Sequence, residues 1–182
     1  TRMRPLTDRV PKPLVPFLGT TPLELALQRL NDAGVKQVAV NAHYLADSIE
    51  RVIARNPFDQ DLYFSHEREI LGTGGVYVPL RVWQGDADLL VYNGDIVSDI
   101  DFAALVDTHK KTNALATMAM LPRVIPGENG FFCHHQVQIV GFGKTGPKDA
   151  AHRNFACAQI LSAQMTARLP DEGAFGIIET AY

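Results

Sequence analysis

Short apolar runs that read as buried strands alternate along this chain with amphipathic helical stretches. That alternation predicts an α/β fold with a mainly parallel sheet flanked by helices. The strand-like runs cover residues 37–41, 62–65, 88–92, 114–121 and 155–162. Before the first of them, Thr20 or Thr21 can cap a helix that ends near residue 33. Pro22 stands in its first turn and Gly34 just past its end. Leu23, Leu27 and Leu30 share one face of this helix, with Ala26 beside them. A second helix over residues 45–55 is stopped by Asn56-Pro57, a third spans residues 102–111, and a helix starts at 173–182. Residues 122–153 have little periodicity except over 136–142, which reads as a hairpin or excursion. There is no repeat, low-complexity tract or linker, and 182 residues suit one domain with a real core, so residues 1–182 read as a single domain.

Composition excludes more than it identifies. A net charge of −3 argues against general nucleic-acid binding. No stretch approaches the roughly 18 apolar residues of a membrane span, and the start lacks a signal-peptide pattern. Two cysteines are too few for a disulfide framework, so a reducing cytoplasm is the expected location.

Three segments carry candidate chemistry. The opening stretch Arg2-Met3-Arg4-Pro5-Leu6-Thr7, followed by Pro11-Lys12-Pro13-Leu14-Val15-Pro16, is a proline-stiffened loop bearing arginines and a lysine. Guanidinium forks and a compact ammonium suit a polyphosphate, although such a loop is also what a solvated basic arm looks like. The run of residues 88–92 ends directly in Asn93-Gly94-Asp95, placing Asp95 at the carboxyl edge of a sheet, where α/β folds bind ligands. A carboxylate there can hold Mg²⁺, or merely close a turn. Leu71-Gly72-Thr73-Gly74-Gly75, preceded by Glu67 and Glu69, is either a close-approach surface for a flat ligand or a flexible entry to a helix. Cys133-His134-His135 is not read as a zinc site, because adjacent ligands do not converge on one ion without a further pair. His43 and His66 read as core or surface histidines.

The run R-M-R-P-L-T…P-K-P-L-x-P, the segment Glu69-Ile70-Leu71-Gly72-Thr73-Gly74-Gly75, which resembles the family's E-x-x-L-G-T-A-G, and the N-G-D step occur in the order found in sugar-1-phosphate nucleotidyltransferases, which this chain resembles. The short bacterial members are the nearest, either the N-acetylmuramate-1-phosphate uridylyltransferase or the mannose-1-phosphate guanylyltransferase group. The Gly74-Gly75 pair tilts the reading toward the uridylyl group. The resemblance implies a Rossmann-like fold whose first strand and glycine-rich turn, of the form A-A-G-x-G-T-R, lie before Thr1-Arg2. It also implies transfer of a nucleotidyl group from UTP or GTP to a sugar-1-phosphate, with Mg²⁺ as cofactor. In that picture Arg2 binds the leaving phosphates, Lys12 neutralises the transferred and attacking phosphates, and Asp95 holds the metal. Glu69, Gly72, Thr73 and Asn93 would line the nucleotide.

Lys144 and Asn154 would meet the sugar phosphate. Phe142-Gly143-Lys144 matches the family's F-x-E-K-P only loosely and lacks its acidic residue. Asn154-Phe155-Ala156-Cys157 carries a cysteine near the usual glycine. The family's later W-x-D-x-G-T-like aspartate has no match up to Tyr182. A phosphocholine cytidylyltransferase and a non-catalytic nucleotide-sugar-binding subunit are the alternatives. Neither nucleic acid nor a membrane is expected as a partner, and a homodimer is left open.

Overall fold

The computed structural model describes residues 3–135 and 137–182. Helix α1 (Pro22–Asp32) starts and stops on local chemistry. Thr21 Oγ1 accepts the Glu24 amide at 3.3 Å, and the same hydroxyl donates to the Glu24 carboxylate at 2.8 Å. At the other end Gly34, at φ 79°, lets its own amide bond Asn31 and the Val35 amide bond Leu30, which closes the last turn. A parallel pair follows, formed by β1 (Gln37–Ala42) and β2 (Asp61–His66) with α2 (Ala46–Ile53) crossing between them. Two single helical turns, α3 (Gly72–Gly75) and α4 (Arg81–Gln84), lead to β3 (Leu89–Tyr92). Next come α5 (Phe102–Thr112) and β4 (Ala116–Met120). An excursion holds β5 (Gly130–His134), β6 (Gln138–Gly143) and β7 (Ala151–Arg153), after which β8 (Phe155–Leu161), α6 (Ala163–Thr166) and α7 (Ile177–Ala181) complete the described chain.

The strands form three hydrogen-bonded sets. β1 pairs with β2, β8 lies antiparallel between β3 and β4, and β5 lies between β6 and β7 in an antiparallel sheet of its own. β3 and β4 therefore point the same way. β1 shares that direction, because the ends of β1 and β3 open onto one loop. Tyr44, just past β1, donates to the Asp8 carbonyl at 3.2 Å, while Asp95, just past β3, pairs with Lys12. Four strands thus run together and β8 runs against them, which gives the expected α/β architecture.

Side-chain alternation distributes the core over the two faces of the β3–β8–β4 sheet. Leu90 and Tyr92 join Ala158 and Ile160 in a cluster with Leu23, Leu27, Ile49, Phe102 and Leu105, which come from α1, α2 and α5. Leu89 and Val91 join Leu161 in a second cluster with Tyr77, Met165, Leu169 and Ile177. Val38, Val40, Leu62 and Phe64 pack into the first cluster, so β1 and β2 continue the same face. On the other face of β2, Tyr63 stacks on Trp83 with ring centroids 6.2 Å apart. No helix among the described residues is long and apolar enough to cross a membrane.

Two expectations change in detail. The stretch read over residues 136–142 as a hairpin or excursion supplies β6, one edge strand of a three-stranded sheet in which β5 is central and β7 the other edge. The helix read over 173–182 shortens to Ile177–Ala181, because the Phe175 amide and carbonyl bond Leu71 and Gly74 and Gly176 is extended.

Candidate active site

The opening loop carries its lysine to the end of β3. Its segments Leu6–Asp8 and Lys12–Leu14 form two 3₁₀ turns, the second entered through Pro11 and containing Pro13. Lys12 Nζ stands 4.0 Å from Asp95 Oδ2, with side-chain exposures of 47% and 36%. An ion pair so open to water adds little to stability, and both charges stay accessible to a third, charged group. Arg4 is exposed and pairs with Asp8 at 3.2 Å, and Arg2 lies outside the described residues. Asp95 is presented by a short turn. The Asn93 amide donates to the Cys157 carbonyl at 3.2 Å and the Ile96 amide to the Asn93 carbonyl at 3.4 Å.

Behind this pair opens a cavity of about 950 Å³. Asn93, Gly94 and Asp95 contribute to its wall, as do Glu67, Gly72 and Thr73. Three of the four residues expected to line a nucleotide are therefore gathered here, and the fourth is replaced. Glu69 is exposed and outside the wall, whereas Glu67 is buried within it. The Glu67 carboxylate accepts the Leu71 amide at 3.1 Å, its own amide donates to the Ala42 carbonyl, and its carbonyl meets His43 Nδ1 at 2.9 Å. Glu67 is thus fixed between the end of β1 and the glycine turn. Strand alternation carried one residue past His66 was the available sequence signal for it.

The glycines of this turn answer to the chain itself. The Gly74 amide donates to the Phe175 carbonyl at 2.9 Å, the Phe175 amide to the Leu71 carbonyl at 3.0 Å, and the Ile177 amide to Thr73 Oγ1 at 3.2 Å. A Cβ on Gly72 would lie 2.6 Å from the Phe175 carbonyl oxygen, one on Gly74 2.5 Å from the Phe175 ring, and one on Gly75 2.6 Å from the Gly173 oxygen. Only glycine lets residues 173–177 lie this close. Packing by itself accounts for the Gly74-Gly75 pair.

The residues expected at a sugar phosphate are not brought together with this site. Lys144 is exposed, past the end of β6 and outside the cavity wall. Asn154 is buried, and its side-chain amide is already engaged. Its oxygen accepts the Ile125 amide at 2.7 Å and its nitrogen donates to the Asn129 carbonyl at 2.9 Å. That makes Asn154 a tie for the 121–129 loop. Cys157 does reach the wall, from an irregular stretch of β8 where Met118 faces Gln159 but Met120 already faces Phe155. It sits at φ 62°, a conformation that favours glycine. Burial, reinforced by the Asp95 charge, pushes its thiol pKa up.

Deeper in, Tyr182 Oη donates to Gln159 Oε1 at 2.9 Å and Gln159 Nε2 to Tyr77 Oη at 3.4 Å. Burial pushes the Tyr77 phenol up to about 12, partly offset by the Gln159 hydrogen bond. The described residues hold no cluster of three or more His, Cys, Asp or Glu side chains fit for a metal. Asp95 alone fits the magnesium mode in which one carboxylate joins substrate phosphates and water.

A family described as nucleotidyl transferase matches residues 1–140. Mannose-1-phosphate guanyltransferase of Yarrowia lipolytica is 35% identical over 144 residues, which is 75% of this chain and 39% of that protein. The protein of the same name from Aspergillus fumigatus is 30% identical over 180 residues, 93% of this chain and 48% of its own length. The chain spans about two-fifths to one half of the curated relatives it matches. In fold it is similar to HddC from Yersinia pseudotuberculosis, solved with GMP-PN. The TM-score is 0.79 at 22% identity, over 97% of this chain and 78% of that one.

Two outcomes follow from the packing around the glycine turn. Gly74→Ala loses about 1–3 kcal/mol of unfolding free energy, the usual range for overpacking, while in a Phe175→Ala background the same change costs much less. Urea titration of the four proteins measures this, and additive losses would contradict the contact. Unfolding free energy also falls between about pH 10 and pH 12. A folded-state tyrosine pKa above the unfolded value gives stability that is complete below the unfolded pKa and is lost as pH rises through the folded one. The limiting slope is about 1.4 kcal/mol per pH unit for one group, and Tyr77→Phe flattens it.

Proposed function

Because the chain belongs to the nucleotidyl transferase family, we propose that it transfers a nucleotidyl group from a nucleoside triphosphate to a sugar-1-phosphate, releasing pyrophosphate. The observation that carries this reading is the half-exposed Lys12–Asp95 pair, 4.0 Å apart at the mouth of a cavity edged by a glycine turn. In the reaction an oxygen of the sugar phosphate attacks the α-phosphorus. The bond from that phosphorus to the bridging oxygen breaks, and pyrophosphate leaves with the electron pair. This chemistry requires alignment and charge neutralisation rather than a protein nucleophile. Lys12 meets the negative charge gathered where the two phosphates approach. Asp95, through one carboxylate, would hold Mg²⁺, which when bound supplies positive charge to the phosphate oxygens. The turn at Asn93 and Gly94 ties Asp95 to β8 through the Cys157 carbonyl, and it shares the cavity wall with Gly72 and Thr73, so a metal held by Asp95 and a nucleoside along the glycine turn would meet in one cavity.

Glu67 supports guanine over uracil. A carboxylate only accepts hydrogen bonds. Guanine offers an amino group beside its ring N–H, whereas uracil presents one N–H between two carbonyls that a carboxylate repels. Several of the most similar relatives carry the name mannose-1-phosphate guanyltransferase, which agrees with a GTP-using reading and with mannose-1-phosphate as acceptor. The uridylyl reading rested on the Gly74-Gly75 pair, which packing accounts for.

Lys12→Ala and Asp95→Ala each lower pyrophosphate release, assayed with Mg²⁺, GTP and mannose-1-phosphate, by about a hundredfold or more, with an unchanged circular dichroism spectrum. Near-normal release from either variant overturns the assignment. Glu67→Gln keeps an acceptor for the Leu71 amide but turns a donor toward the base. It lowers kcat/KM for GTP relative to UTP by about tenfold or more, and an unchanged GTP-to-UTP ratio removes Glu67 from base reading.

A further inference from the structure

We propose that Arg123, on the loop of residues 121–129, holds the phosphate of the sugar-1-phosphate, and that Asn154 is the positioning residue that sets this loop. The inference rests on the nucleotidyl transfer proposed above and names a cation for its acceptor. β3 and β4 flank β8 and run in the same direction, so Asp95 and this loop leave the sheet at one edge. Two strand spacings, about 10 Å, separate the ends of β3 and β4. The start of β8 lies between them, where Phe155 and Cys157 belong to the cavity wall. The loop meets the same wall at both of its ends. Met118 precedes it in β4 and Phe131 follows it in β5, and both line the cavity. Arg123 is carried on the span between these two points.

Exposed loops are ordinarily mobile, yet this one is tied along its length to a single residue. The Leu121 amide donates to the Asn154 carbonyl at 2.8 Å and the Ile125 amide to the Asn154 side-chain oxygen at 2.7 Å, while the side-chain nitrogen donates to the Asn129 carbonyl at 2.9 Å. Asn154 is 4% exposed, so these bonds are shielded from water and the loss of one leaves a buried polar group unpaired. A loop held in this way presents its charges at fixed positions. Glu128 adjoins Asn129 at the β5 end, whereas Arg123 lies two residues past Leu121, beside β8. Arg123 is exposed and among the described residues stands in no ion pair, unlike Arg4, which Asp8 holds. Two phosphorylated substrates bring more negative charge to this edge than Lys12 and one divalent cation offset. A guanidinium meets phosphate oxygens with a planar fork. The side of the site decides which phosphate it meets. Glu67 bonds the end of β1, and β1 reaches the cavity from the side of β3 opposite β8. Arg123 lies across β8 from that nucleotide side, which assigns it to the acceptor.

Isothermal titration with mannose-1-phosphate, with glucose-1-phosphate and separately with GTP reads binding without turnover, so failure here is distinguishable from failure of the pyrophosphate assay. Arg123→Ala weakens sugar phosphate binding by about tenfold or more, as expected for a lost charged hydrogen bond, and leaves GTP affinity unchanged. Arg123→Lys keeps the charge without the fork and recovers part of the loss. Asn154→Ala also weakens sugar phosphate binding and spares GTP, but in an Arg123→Ala background it adds nothing further. Asn154→Asp keeps the acceptor for the Ile125 amide and loses only the donor to Asn129, and it replaces the alanine variant if that one does not fold. Three results overturn the role of Arg123: neither sugar phosphate binds the unsubstituted chain, Arg123→Ala binds them equally well, or it loses GTP to the same degree. Additive losses at Arg123 and Asn154 overturn the positioning role of Asn154.

Discussion

The fold depends on two strands, β3 and β8, each serving two cores at once. Leu90, Tyr92, Ala158 and Ile160 face the cluster built by α1, α2 and α5, and Leu89, Val91 and Leu161 face the cluster built by Tyr77, Met165, Leu169 and Ile177. A register shift of one residue on either strand would exchange the two sets and misfit both cores together. The Asn93-Gly94-Asp95 turn inherits its position from this constraint. Its first amide is bonded to Cys157 on β8, so the carboxylate is located by the sheet and not by the loop that carries it.

The opening loop complements that rigidity. Prolines and two 3₁₀ turns hold Lys12 where β3 ends, yet the lysine and the aspartate remain open to water. Two opposite charges that do not neutralise each other in a buried bond are suited to a substrate carrying both phosphate and a metal ion. The buried Glu67 works in the reverse way. Its three local hydrogen bonds fix it in place, which suits recognition of a neutral, planar group better than handling of charge.

Much of this was legible in the sequence where one local signal dominates. α1 is bounded by Thr21 and Gly34, and β1, β2, β3 and β8 coincide with apolar runs. β5 was not legible, because Phe131, Phe132 and Cys133 are buried in succession and show no alternation. The glycine turn was found but partly misread. Sequence shows that small residues are needed there and not what lies against them, and here that neighbour is Phe175, about a hundred residues away. Glu67 was passed over for Glu69 because both are acidic and two apart, and the bend at residues 68–69 ends the alternation that buries Glu67 before it reaches Glu69. Asn154 stands where a sugar ligand was expected, but the loop over residues 121–129 had already claimed its amide, a contact no local pattern encodes.

The strap of residues 173–177 across the glycine turn has a consequence for synthesis. Thr73 and Ile177 are separated by 104 positions, and the bonds between the two segments hold the turn in shape. A nascent chain can pair β1 with β2 and cap α1 early, since those contacts are local. The glycine turn acquires its geometry only after residue 177 has left the ribosome. Its shape is therefore among the last properties the growing chain gains, and shorter translation products carry the loop sequence without it.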